Sequence, residues 1–205
     1  MAVGDSDVTI CSQALLLLGE SEISSFDDGT QISGACSTLY SGVRDSVLSL
    51  YPFSFATKKA QLAQLTSTPV NEWTYEYALP SDMITGTPQA VYSSTAVGAN
   101  PQQIGWEILG TAMQTNMTTV VIDYIYSVPE ASMPPHFVQL LKYTMAAHLA
   151  EIVTDQIDKA DYWRTLAFGR GDENGRGGFF RQSMNIDGRG QIPNFISTFP
   201  LTDVR

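Results

Sequence analysis

Basic charge, cysteine, histidine and long apolar runs are all scarce in these 205 residues. Eleven lysines and arginines face 21 aspartates and glutamates, for a formal net charge of −10. A general nucleic-acid binder shows a basic face that neutralises phosphates, and that balance argues against one here. Attachment to anionic lipid through a polybasic patch is disfavoured on the same ground. The longest apolar run, Ala14 to Leu18, has five residues, far short of the ~18 that a membrane helix needs. Asp5 and Asp7 stand where a secretory signal would carry positive charge, so no such signal is expected. The two cysteines, Cys11 and Cys36, fit reduced thiols packed in a core better than a disulfide framework.

Catalytic signatures are missing as well. The two histidines, His136 and His148, belong to no HExxH motif, and no cysteine or histidine spacing suits zinc. Gly169-Arg170-Gly171 has neither the preceding strand nor the following helix of a dinucleotide loop, and no lysine of a phosphate-binding loop. Asp155, Asp158 and Asp161 recur every three residues and could in principle hold a hard cation. An acidic helix start continuing as a solvated face is the preferred reading. Arg170-Gly171-Asp172 and the sequon Asn116-Met117-Thr118 are idle without secretion. No catalytic residue, metal or cofactor is therefore expected.

What is present is 43% hydrophobic residues, ample for one core, and two kinds of periodicity. Val8, Cys11, Leu15 and Leu18 trace one face of a helix from about Asp7 to Leu18, with N-cap chemistry from Asp5, Ser6 and Asp7 and Gly19 as a natural C-cap. Ile32, Cys36, Leu39, Val43, Val47 and Leu50 trace a second, from about Thr30 to Leu50, ended by Pro52. Residues 58–130 read differently. Trp73 to Leu79 alternates, and Ile104 to Leu109 and Thr119 to Tyr126 also read as strands. One antiparallel sheet of three to five strands is predicted, with 93–103 and 110–118 as polar loops. Helical spacing returns with Val138, Leu141, Met145, Leu149 and Ile152, then with Ile157, Ala160, Trp163 and Ala167 in a helix from about Ile157 to Phe168.

The prediction is thus an α+β chain. A first helical hairpin (1–57) and a second (131–169) form a four-helix bundle, with a β segment (58–130) inserted between them. Residues 170–205 read as an extended C-terminal arm. Five glycines between Gly169 and Gly178 suggest a flexible hinge. Beyond them Phe179, Phe180, Ile186, Ile192, Phe195, Ile196 and Phe199 follow no regular period. Five arginines against four acids leave this arm at +1 and residues 1–169 at −11. Disordered tails rarely carry so many aromatics, so the arm is expected to dock on its own body or on a partner.

Several runs, taken in order, resemble one family. Ile10-Cys11, Ala14-Leu15, Leu18-Gly19 and Ile23-Ser24-Ser25 come first, then Asp28, Thr30, Cys36, Tyr40 and Arg44. Tyr51-Pro52-Phe53 and Phe55 to Ala60 follow, then Trp73, Tyr75, Tyr77, Leu79-Pro80 and Asp82. Pro135, Phe137, Ala146-Ala147 and Leu149-Ala150 complete the set. Over roughly residues 9–165 the chain resembles the head-to-tail adaptors of short-tailed bacteriophages, the tail tubular protein A-like family. It departs at Phe53, where members often carry tryptophan, and at Met83-Ile84.

The resemblance implies a structural virion protein made in the host cytoplasm, not an enzyme. It implies a ring, a dodecamer, that joins the portal protein to the tail nozzle and lets DNA pass through an acidic lumen. No membrane is involved. The C-terminal arm would reach the portal through Phe179, Phe180, Phe195 and Phe199 as anchors, with Arg181 and Arg189 pairing to portal acids. Two alternatives remain: another neck or tail-completion protein, or a carbohydrate-acting hydrolase built on Glu72, Glu76 and Asp82.

Overall fold

Each helix begins and ends where its residues offer the chemistry for it. The computed structural model describes residues 5–70, 72–102, 104–154, 156–173 and 175–189. Helix α1 spans Asp7–Leu18, and Ser6 Oγ accepts the Thr9 amide at 3.1 Å. Gly19 closes it at φ 88°. The Gly19 and Glu20 amides return to the Leu16 and Leu15 carbonyls at 3.1 Å, a Schellman end that favours glycine. Helix α2 spans Gln31–Ser49, capped by Thr30. Helix α3, Pro135–Thr154, opens on a proline, whose missing amide costs nothing in the first turn. Helix α4 covers Ile157–Phe168 and α5 covers Gly178–Gly188.

Helix α3 is the axis of the bundle. Its buried residues Phe137, Val138, Leu140, Leu141, Met145 and Leu149 lie on more than one face, because α1, α2, α4 and α5 all pack against it. The predicted bundle had four helices. The fifth, α5, arises from the segment read as an arm without a period. Three stripe residues also differ from expectation: Leu50, Ile152 and Ile157 sit at or near helix ends, 52%, 45% and 66% exposed.

The β segment lies between α2 and α3, as predicted, but forms two sheets rather than one. Its strands are β1 Thr57–Gln61, β2 Tyr75–Ala78, β3 Ala90–Tyr92, β4 Trp106–Leu109, β5 Ala112–Thr115 and β6 Val121–Ile125. They pair antiparallel in the orders β1-β6-β3 and β2-β5-β4. Tyr77 and Met113 from one sheet share a buried cluster with Val91, Ile122 and Tyr124 from the other. The loop predicted over 110–118 is partly β5. Gly110, at φ 62°, and Thr111 make a two-residue hairpin turn between Leu109 and Ala112. Strand β1 escapes a pattern search because Thr-Lys-Lys-Ala-Gln is an edge strand, almost wholly exposed.

The bundle core closes on Phe53, just after α2. Its ring lies 5.2 Å from Phe137 and 6.4 Å from Phe180, both edge-on, with no exposed surface of its own. Phe53→Ala is expected to cost about 3–5 kcal/mol of stability in denaturant unfolding. Leu50→Ala, three residues earlier but exposed, is expected to stay within about 0.5 kcal/mol. Equal costs would contradict this packing.

Candidate functional site

The expected arm residues divide between the body and the terminus. Phe179, Phe180 and Arg181 lie in α5, and Arg189 is its C-cap. Phe195 and Phe199 lie outside the described residues. Phe180 is 2% exposed, 5.8 Å from the Phe168 ring. Phe179 meets Tyr143 edge-on at 5.6 Å, and Tyr143 stacks on Trp163. Two of the four anchors expected to reach the portal are therefore packed into the chain's own bundle. Arg181 and Arg189 remain exposed.

Polar contacts fix α5 further. Ser183 Oγ donates to the His136 carbonyl at 3.1 Å. The Asp187 carboxylate accepts the Ser54 amide at 2.9 Å and its hydroxyl at 2.6 Å. Phe180, Ser183, Met184 and Asp187 do follow helical spacing. Serine and aspartate on the docked face hid that period from a count of apolar residues alone.

The glycine-rich run is a close-packed turn rather than a hinge. The Glu173 carboxylate accepts the Arg170 amide at 3.0 Å, and the Gly177 amide bonds the Phe168 carbonyl at 2.9 Å. A Cβ on Gly169 or Gly177 would overlap the Glu173 carboxylate. At Gly178, φ is +53°, and a Cβ would stand 2.6 Å from the Leu166 carbonyl oxygen. The turn lets α5 fold back onto α3 and α4. Arg170 and Arg176, with Arg164 of α4, line a cavity of about 760 Å³.

Titratable groups elsewhere have structural partners. Asp82 accepts Tyr124 Oη–H at 3.0 Å and Lys58 Nζ–H at 3.0 Å. Partial burial works against its charge, but these donors outweigh it and hold the carboxyl below its ordinary 3.8. Glu76 lies on β2 and takes hydrogen bonds from Ser67 and Gln114. Asp82, by contrast, is tied to β1 and β6, on the other sheet. Glu72 is exposed. Cys11 and Cys36 are both free and buried, and the bond to Cys36, with burial, pushes the Cys11 thiol up. Burial holds His136 below 6.5 against the opposing charge of Asp187; burial and then Arg164 do so at His148. Among the described residues no three His, Cys, Asp or Glu side chains converge as a metal site. Asp158 and Asp161 lie on α4; Asp155 falls outside the described residues.

Two results check these assignments. Gly178→Ala is expected to destabilise by about 2–4 kcal/mol, from the left-handed backbone and the close carbonyl. Gly175→Ala, with φ +68° but open space around it, should cost only about 1–2 kcal/mol; equal, negligible costs would restore the hinge. Asp82 contributes stability above its unfolded pKa, and loses it as pH falls through its lowered folded value. An acid titration of Asp82→Asn should lack that part of the transition, and an unchanged profile would refute the pairing.

Comparison with family models and with curated proteins finds no match. Among solved structures, a chain from the neck of an empty GTA (gene transfer agent) particle, computed with C6 symmetry, is similar at 15% identity. The alignment covers 80% of this chain and 92% of that one, with a TM-score of 0.29. Among the described residues no helix is long and apolar enough to cross a membrane.

Proposed function

We propose that this chain is a structural protein of a phage-like particle, a head-to-tail adaptor that forms a ring between portal and tail nozzle. The observation that carries the reading is a pair of unpartnered apolar faces on separate helices. Leu16 and Leu17 on α1 are 50% and 38% exposed; Tyr162 and Leu166, one turn apart on α4, are 61% and 37% exposed. Both helices pack on α3 and barely touch each other. Two different faces on one subunit suit a head-to-tail contact, the kind that closes into a ring.

The residues behind the family resemblance support the same reading, because their roles are architectural. Thr30 caps α2, and Asp28 accepts the Ser24 and Ser25 amides. Arg44 bridges α2 to Glu130 at 2.8 Å and Ser127 at 2.8 Å. Tyr51, Phe53, Phe55 and Phe137 form one aromatic cluster. With α5 part of the body, the portal-reaching arm is residues 190–205, and Phe195 and Phe199 are its anchors. The net charge of −10 suits a channel that DNA crosses without adhering.

The test is assembly on the cognate portal ring, read by native mass spectrometry. A chain ending at Arg189 should fold like the full one yet fail to join the portal. Leu16→Glu and Leu166→Glu should each leave the monomer folded and prevent neighbouring copies from closing a ring. If the shortened chain joins as well as the intact one, the arm has no portal role. If both face variants still close the ring, the helical faces are not its contacts.

A further inference from the structure

The basic residues of this acidic protein are of two kinds. Every lysine and arginine before residue 150 is ion-paired: Arg44 with Asp45 and Glu130, Lys58 with Asp82, Lys59 with Asp123, and Lys142 with Asp5. Six more fall within residues 156–189, and among the described residues none of them has a carboxylate at ion-pair distance. Two neighbouring acids are engaged elsewhere: Glu173 on the Arg170 amide and Asp187 on Ser54.

Three of these unpaired cations, Arg164, Arg170 and Arg176, line the one cavity of about 760 Å³ between α4, α5 and the end of α2. Leu50, Phe168 and Phe180 give it apolar lining; among the described residues Asp161 is the single carboxylate in its walls. His148 also lines it, and burial and then Arg164 disfavour its charged form. The turn around Glu173 fixes the backbone at both positions, with the Arg170 amide on the Glu173 carboxylate and the Arg176 amide on the Glu173 carbonyl, each at 3.0 Å. Guanidinium groups match carboxylates in a two-point geometry, and the apolar lining suits the methylene stem of a glutamate.

We propose that this cavity is a docking site for an acidic peptide segment of a partner protein, its carboxylates pairing with Arg164, Arg170 and Arg176. It stands apart from the adaptor reading, since it fixes the chemistry of the occupant whichever protein presents it. A volume of this order holds a small ligand, here a few residues. A long polyanion such as DNA would have to approach a body of net charge −10, which repels it. A short acidic segment entering a recess meets the three arginines at close range, within the ~10 Å over which salt leaves charge unscreened.

The experiment uses the full chain and a fluorescein-labelled hexaglutamate peptide, followed by fluorescence anisotropy at low salt. Saturable one-to-one binding is expected. Arg164→Gln, Arg170→Gln and Arg176→Gln should each weaken it about fivefold, and the triple variant should abolish it. Lys159→Gln and Arg181→Gln change the net charge equally but lie outside the cavity lining, so they should leave the affinity nearly unchanged. An unlabelled hexathymidylate should compete less well than unlabelled peptide. The proposal is overturned if binding does not saturate, or if the two control variants weaken it as much as the cavity variants. It is equally overturned if the oligonucleotide displaces the probe at lower concentration than the peptide, which would make the cavity a phosphate site.

Discussion

Phe53 brings together rings from stretches far apart in the chain: Tyr51 and Phe55 beside it, Phe137 at the start of α3 and Phe180 on α5. Burying such a side chain removes roughly 150–250 Å² from water, and edge-on contacts add a directional preference to that burial. The consequence is positional. With Phe53 placed just after α2, the start of α3 and the docking of α5 are set against the same ring. The chain then leaves directly into β1. The β segment is tethered at both ends to this junction, since Ile125, at the end of its last strand, and Val128, just beyond it, belong to the bundle core.

The helices that the residues announce are those whose buried faces are apolar. Cys11, Leu15 and Leu18, or Leu141, Met145 and Leu149, repeat at helical spacing because each must leave water. Helix α5 docks instead through Phe180 together with Ser183 and Asp187, so part of its docking is hydrogen bonding that hydrophobic periodicity does not register. The glycines before it suggested freedom by composition, whereas position decides: Gly178 has a left-handed backbone against a carbonyl, and Gly169 and Gly177 make room for Glu173. Strands β1 and β5 were hidden for opposite reasons. One is an exposed edge with no alternation, and the other is a short buried strand behind a two-residue turn. As for the site, the arginines themselves are visible in the sequence. Their convergence on one cavity depends on the fold of the turn and could not be read there.

The same structure separates residues that hold the chain together from residues left available. Arg44, Lys58 and Lys59 are tied to acids across long sequence separations or across a strand pair. Each such pair near the surface contributes modestly to stability. Among the described residues, the arginines of α4 and the turn after it have no such partner. Apolar side chains follow a similar division, with Leu15 and Leu18 buried on α1 while Leu16 and Leu17 face outward. Surfaces of this kind fit a protein whose function is to contact other chains, and the adaptor reading gives them neighbours.

That reading stands or falls on stoichiometry, and mass photometry measures it most directly, with the full chain alone and mixed with its cognate portal ring. The account predicts a discrete complex heavier than the portal by a closed ring of copies, a dozen if the family pattern holds. A portal mass unchanged by saturating amounts of the chain would contradict it.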